Sequence, residues 1–360
     1  MADKQIVLVT GVAKYWGFRV AAGLAIEPGY HVIGLDLERP ADGIRGLDFV
    51  QADIRNPLLP ELLASEGVDT VCHLAFMETT RPSEVAFGAN VMGTAKLLGA
   101  CAKARVRKVV VKSSTAVYGA RPGNSAFLTE DHALRGSQRA GTIRDLVEIE
   151  KFCNGFRHRE PDVLLTILRF ASIVGPTVDT PMTRFLREPA APTLLGFDPL
   201  MQLIHEHDVL TALIHAVAND VAGVFNVAAE DVLSLNRIRG LAGKLPISVF
   251  HPVAYWGSRL LGRAGFHAHR YMPIELDYLR YPWVADLARM RQELDFAPHY
   301  TAEESVREFA ERHRARTYEP DSISVAHDEE RLRATIEQRR QARAQEAGTA
   351  ASGEGGGQDD

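Results

Sequence analysis

The stretch Gln5-Ile6-Val7-Leu8-Val9-Thr10-Gly11-Val12-Ala13-Lys14-Tyr15-Trp16-Gly17 decides the fold. Gln5–Thr10 is a nearly continuous apolar run, the pattern of a strand covered on both faces. Gly11 permits a tight turn, and Gly17 lets the next helix, running to about Glu27, pack closely on the strand. The helix then points its free N-terminal amides at an anion such as a pyrophosphate. Lys14 stands where many such loops carry a middle glycine; its side chain either swings outward or pairs with that anion. Asp36 ends the second strand about 20 residues on, where a carboxylate accepts both hydroxyls of a ribose and repels a 2′-phosphate. NAD is therefore expected over NADP, a preference that Arg39 softens.

The alternation continues outward from there. Strands are expected at His31–Leu35, Leu47–Gln51, Thr70–Leu74, Lys108–Lys112 and Val163–Phe170. Helices are expected at Pro57–Glu66, Ser83–Ala104 and Thr142–His158. This βαβ rhythm specifies an α/β fold with a doubly wound parallel sheet. After Gly175 prolines multiply (Pro176, Pro181, Pro189, Pro192, Pro199), which marks a smaller C-terminal substrate lobe. The expected divisions are a dinucleotide domain over 1–175, a lobe over 176–318 from which a segment near 204–230 (including Gly223–Ala228) returns to the sheet, and a charged helix with a disordered tail over 319–360.

Composition excludes several classes. The chain has 360 residues, 46% hydrophobic and 24% charged, with a net charge of −5 and no basic run, so no nucleic-acid partner is expected. No leader peptide and no run of about 18 apolar residues is apparent, so a cytoplasmic protein without a transmembrane segment is expected. Cys72, Cys101 and Cys153 form no C-x-x-C and read as buried thiols. Pro252–Phe266, rich in aromatics, leucine and arginine, is a core helix or a peripheral membrane contact.

Six further motifs follow in order: Asp53-Ile54; His73-Leu74-Ala75, which ends differently at Phe76; Asn90-Val91-x-Gly93-Thr94; Ser113-Ser114-Thr115-Ala116-Val117-Tyr118-Gly119; Leu168-Arg169-Phe170 with Gly175-Pro176; and His205-Glu206-His207-Asp208-Val209. With the glycine loop, this series resembles the extended short-chain dehydrogenase/reductase family, the NAD-dependent epimerase/dehydratase group, over roughly residues 5–310. Within that group it looks most like an actinobacterial-type subgroup often labelled UDP-glucose 4-epimerase-like, a label that by itself licenses no substrate. The resemblance implies a Rossmann sheet and an NAD site drawing on Gly11, Lys14, Tyr15, Trp16, Gly17, Asp36, Asp53, Ile54, Leu74, Ala75, Asn90, Ser113 and Arg169. It implies Ser114 as the catalytic serine, a small-molecule substrate such as a sugar nucleotide, and a homodimer through the helices at 83–104 and 142–158.

The pattern breaks at Thr142–Glu150, which reads Thr-Ile-Arg-Asp-Leu-Val-Glu-Ile-Glu. In the family a Tyr-x-x-x-Lys pair sits here: the tyrosine moves a proton at the substrate, and the lysine lowers its pKa and holds the nicotinamide ribose. Counting back from Glu148 or from Glu150 puts the tyrosine at Ala140 or Thr142 and the lysine at Arg144 or Leu146. None of the nine tyrosines has a lysine four residues on; Tyr15 and Tyr255 have arginine there. Tyr118, Arg144, Lys112, His205 and His207 remain as substitutes, each with a plain structural alternative. His205-x-His207-Asp208 has metal-like spacing without a supporting cluster, so no metal is expected. Three readings stay open: an NAD-dependent epimerase, dehydratase or dehydrogenase with a non-standard acid/base; a non-catalytic dinucleotide-binding sensor or scaffold; and a protein that keeps only the fold.

Overall fold

The computed structural model describes residues 4–250, 252–253, 274–317, 332–333, 336–337 and 339. Most of Pro252–Phe266 and of the expected charged helix and tail lies outside the described residues. Residues 1–310 form one compact unit and 311–360 a second.

Apolar β-branched runs too short for helices build the central sheet. Its strands are β1 (Gln5–Thr10), β2 (Tyr30–Asp36), β3 (Leu47–Gln51), β4 (Thr70–His73), β5 (Lys108–Ser114), β6 (Leu164–Phe170) and, after an interval, β10 (Gly223–Val227). They lie in the order β10-β6-β5-β4-β1-β2-β3, and every pair is parallel. The order reverses between β1 and β4, so the crevice of a doubly wound sheet opens at the carboxyl ends of those two strands.

Helices cover both faces, because each strand is apolar on both. α1 (Tyr15–Ala25) and α7 (Glu206–Ala218) close one face over Val7, Val9, Cys72, Val110 and Leu168. α2 (Leu59–Ser65), α4 (Gly93–Ala104) and α5 (Gly141–Arg159) close the other over Leu8, Val71, Val109 and Val111. Cys72, Cys101 and Cys153 are buried free thiols, and burial pushes the first two up to about 12.

The helix expected over Ser83–Ala104 is interrupted. α3 (Glu84–Phe87), capped by Ser83 Oγ accepting from the Ala86 amide, runs into a π-helical turn at Gly88–Met92 before α4 begins. Thr94 Oγ1 donates to the Asn90 carbonyl at 2.6 Å, and the wide turn aims the Asn90 side chain at Met77. Glu84–Ala104 is nevertheless long and apolar enough by composition to cross a membrane, contrary to the expectation that no such stretch exists; half of its most apolar window is buried in the fold.

The proline-rich region is ordered. It carries β7 (Ser172–Val174), α6 (Pro181–Arg187), β8 (Ala190–Leu194), β9 (Leu200–His205), β11 (Val232–Ser234), α8 (Leu235–Leu241) and β12 (Leu245–Val249). These form a three-stranded sheet, β11-β9-β7, and a β12-β8 pair over a third core containing Met182, Phe185, Leu203, Ile238 and Trp283.

One buried charge ties the sheet to α7. Lys108, at the start of β5, is fully buried and donates to the carbonyls of Val217 (2.8 Å) and Asn219 (2.5 Å), with Asp220 at 3.2 Å. It satisfies carbonyls that the end of α7 leaves free. Lys108→Met keeps the stem and deletes the donors; the expected loss is about 1–3 kcal/mol, read as a lower midpoint in chemical denaturation.

Candidate functional site

The site grows from the β1–α1 turn. Gly11 has φ of +81°, and a Cβ there would meet the backbone of Ala75 at 2.7 Å. A Cβ on Gly17 would land on the Gly11 carbonyl. Both positions therefore demand glycine. Lys14 is exposed and extended (φ −101°, ψ 159°); its amide donates to the Gly11 carbonyl at 2.9 Å, and its side chain makes no cap. The turn thus leaves the N-terminus of α1 open at the crevice. A cavity of about 380 Å³ beside it is lined by Lys14, Tyr15, Arg19, Pro40, Asp42 and Thr177.

Asp36, at the end of β2, braces this loop. Its Oδ2 accepts from the Ala13 amide at 2.9 Å and its Oδ1 from the Leu37 amide at 2.7 Å. Each oxygen retains a lone pair, so the same carboxylate can support the loop and receive two hydroxyls. Asp53 is held below the usual carboxylate range by Arg55, bonded at 2.5 Å, and Ile54 beside it is buried. Tyr15 Oη shares a hydrogen bond with Thr177 at 2.7 Å and contacts Arg19; burial raises its pKa. Trp16 is buried behind it, 8% exposed.

The floor is the turn after β4. Thr10 Oγ1 pairs with His73 Nδ1 (2.8 Å) and accepts from the amides of Leu74 (3.1 Å) and Ala75 (3.3 Å). His73 Nε2 pairs with Thr94 Oγ1 at 2.9 Å. Because Thr94 gives its own proton to the Asn90 carbonyl, His73 carries hydrogen on Nε2 and accepts from Thr10 on Nδ1. Leu74 and Ala75 are thereby pressed against the glycine loop.

Ser114 ends β5. Its Oγ accepts from the Ala116 amide at 3.2 Å, and its proton has no acceptor among the described residues, so it is free to donate. Lys112, two residues earlier on the same strand face, lies with its ammonium 5.7 Å from the Trp16 ring centroid.

Several residues expected here are committed elsewhere. Ser113 points to the opposite sheet face and donates to Glu150 Oε1 at 2.5 Å. Arg169 gives Nε and Nη2 to Glu150 Oε2 (2.9 and 2.6 Å) and Nη1 to Tyr118 Oη (2.6 Å) and the Glu130 carbonyl (2.9 Å). Both side chains are spent chiefly on this buried network. Asn90 spends its amide on Met77 N and O (2.7 and 2.9 Å) and on Asp145 (3.0 Å), so it shapes the loop rather than touching a ligand. Tyr118 is buried, donates to Asn226 Oδ1 at 2.7 Å, and is pushed up to about 12 by burial, which removes it as a proton donor. Arg144 bonds Asp145 and the Ser83 carbonyl and covers Phe87, tying α5 to α3 instead of holding a ribose. His205 caps α7, its Nδ1 accepting from the His207 amide at 3.1 Å, and stacks on Tyr300 at 3.9 Å. Among the described residues no group of His, Cys, Asp and Glu could hold a metal.

At the broken motif, Glu150 is buried beside Arg169 while Glu148 pairs with Lys151 at 2.7 Å. Thr142 Oγ1 accepts from the Thr79 amide (2.8 Å) and donates to its carbonyl (3.1 Å). Leu146 is buried. Sequence reading missed Glu206, which is 3% exposed and accepts from the Thr177 and Val178 amides (3.1 and 2.7 Å) and from Thr177 Oγ1 (2.7 Å). Its place directly after His205 was visible; its partner loop, 29 residues earlier, was not. A larger cavity of about 460 Å³ lies between α5, β6 and β10, lined by residues that include Glu130, Glu150, Arg157, Arg169 and Arg289 but not Ser114. Two of its cations are already bonded, Arg169 to Glu150 and Arg289 to Asp131.

Residues 7–228 match the NAD dependent epimerase/dehydratase family. The uncharacterized protein Rv0501 of Mycobacterium tuberculosis (strain ATCC 25618 / H37Rv) is 35% identical over 340 residues, covering 89% of this chain and 90% of that protein. Short-chain dehydrogenase/reductase family 42E member 1 of Xenopus laevis is 26% identical over 228 residues, covering 59% of this chain and 58% of that protein. The structure also resembles UDP-glucuronic acid 4-epimerase from Bacillus cereus in complex with UDP-glucuronic acid and NAD, with a TM-score of 0.65 and 19% identity over 86% of this chain and 99% of that one.

The His73 clamp makes a pH prediction. Burial pushes His73 down to about 3, against 6.5 for the free side chain. As pH falls through ~6.5 the unfolded chain takes up the proton and the folded one does not, so this contribution is whole above ~6.5 and drains as pH drops toward ~3, at up to about 1.4 kcal/mol per pH unit. Unfolding free energies measured from about pH 7 to 4 should therefore fall more steeply in the wild type than in His73→Gln; parallel slopes would contradict the assignment.

Proposed function

The chain belongs to the NAD dependent epimerase/dehydratase family, and on that premise we propose that it binds NAD and moves hydride at a hydroxyl-bearing or carbonyl carbon of a sugar nucleotide or related substrate. The observation that carries this is Ser114, whose unspent hydroxyl proton stands at the carboxyl end of β5 in the same chain as a fitted dinucleotide cradle. The fit rests on Gly11 and Gly17, where a Cβ would strike the backbone of Ala75 and of Gly11 and open the tight turn, on the open N-terminus of α1, and on the spare lone pairs of Asp36. Gly11, Gly17, Asp36 and the Leu74–Ala75 turn would hold the cofactor. NAD supplies the hydride acceptor when bound. Ser114 donates to the substrate oxygen and orients the carbon beneath it.

The buried Glu150 supports the register that counts back to Thr142 and Leu146 for the absent tyrosine and lysine. At those two positions α5 offers neither a phenol nor an ammonium; its one lysine, Lys151, is paired with Glu148. Threonine is far too weak an acid for that work near neutral pH, so the proton leaves by water or by a group on the substrate. A second reading has its own observation: Thr142 Oγ1 is satisfied in both directions by Thr79, as a structural residue would be, which favours a dinucleotide-binding sensor or scaffold. We also propose that two copies pair through the helical segment 83–104 and α5, where Met92 is 46% and Phe152 41% exposed.

Purified protein incubated with NAD and a panel of sugar nucleotides should produce reduced nicotinamide or an isomerised sugar with at least one substrate. Ser114→Ala should then lower kcat about 10²–10³-fold while NAD affinity stays within about twofold. Bound NAD with no turnover on any panel member would favour the sensor reading.

A further inference from the structure

β5 carries two lysines on one face, and their fates differ. Strand alternation puts Lys108, Val110, Lys112 and Ser114 in a column facing α1 and α7, and Val110 joins the core cluster that contains Trp16. Lys108, at the lower end, has three acceptors. Lys112, at the upper end, has no hydrogen bond and no ion pair with any described residue; its ammonium rests over the Trp16 ring at 5.7 Å. Burial lowers its pKa, and Glu78, from the loop after β4, opposes that shift from beyond ion-pair distance. A half-buried ammonium without an acceptor is costly to keep. At the mouth of the crevice, one step below a free serine hydroxyl, it is open to an oxygen from a ligand.

We propose that Lys112 supplies from β5 a cation at the reacting end, where the register of α5 puts Leu146, donating to the nicotinamide carboxamide of the bound dinucleotide and favouring its reduced form. This rests on the dinucleotide reading of the crevice given above. The two ends of that crevice are chemically distinct. The pyrophosphate end has the α1 amides and the neighbouring Lys14. Lys112 shares its column with Ser114, which belongs to the reacting end. A cation there repels the pyridinium of NAD and leaves the neutral dihydropyridine of NADH unopposed, so it separates the affinities of the two. The residue takes no covalent part and acts by hydrogen bonding and charge.

Binding of NAD, NADH and ADP-ribose, measured by calorimetry on the full chain, tests this without any turnover. Wild-type protein should bind NADH about tenfold more tightly than NAD. Lys112→Met should lose about tenfold in NADH affinity, lose less for NAD, and keep ADP-ribose within about twofold; Lys112→Arg should retain the preference for NADH. Retained ADP-ribose affinity also reports that the variant is folded. Equal weakening of all three ligands would put the ammonium on the pyrophosphate and overturn the proposal. So would unchanged affinities, or a wild type that prefers NAD, a result that needs no variant. If the wild type bound none of the three, the dinucleotide reading itself would fall, a result distinct from those.

Discussion

A buried ion pair, Glu150 of α5 with Arg169 of β6, sets the terms on which the rest of the site is built. Two charges withdrawn from water need close geometry and further hydrogen bonds, and both have them. Ser113 donates to the same carboxylate from β5, and Arg169 reaches on to Tyr118 and the Glu130 carbonyl. Tyr118 continues to Asn226 on β10, whose amide proton goes to Glu130. One network thus joins α5 to three strands, and α5 cannot rotate or slide without stranding a charge. That constraint fixes which residues of α5 stand toward the loop after β4, and Thr142 and Leu146 are the ones that count back from Glu150.

The same network explains what the sequence conveyed and what it withheld. β1, the glycine turn and Asp36 were legible because each obeys a local rule: two covered faces, a forced φ, a carboxylate closing a strand. The roles of Ser113 and Arg169 were not. Two adjacent serines on a strand face opposite ways, and only the packing of α5 tells which one meets the cofactor side. Arg169 is a strand arginine whose partner lies 19 residues earlier, so no window of sequence contains the pair. The π-helical turn at Gly88–Met92 was equally hidden, since an apolar helix pattern survives one wide turn. Its cause is long-range: Asn90 must meet Met77 and Asp145 at once.

The crevice is rigid where it holds a dinucleotide and sparse where chemistry would follow. Backbone contacts between Gly11, Gly17 and Ala75 leave no freedom, and the His73 clamp presses the β4 turn into the same place. Opposite them, α5 presents a threonine already satisfied by Thr79 and a leucine with nothing to donate. No buried polar atom of Thr142 waits for a ligand, while the hydroxyl of the neighbouring Thr79 is buried without a hydrogen-bond partner among the described residues.

What remains is electrostatics drawn from the strand rather than the helix. In a low-dielectric crevice a single ammonium exerts far more than it would in water, and the Trp16 ring beneath Lys112 excludes water from one side. A phenol–ammonium pair on α5 would serve both proton transfer and charge; a lone ammonium on β5 serves charge alone. Hydride transfer needs the second function to set the balance between oxidised and reduced nicotinamide, and the first only when the substrate proton has no other exit. If Lys112 acts as proposed, the protein keeps the task that governs cofactor state and leaves proton removal to solvent or to the substrate's own groups.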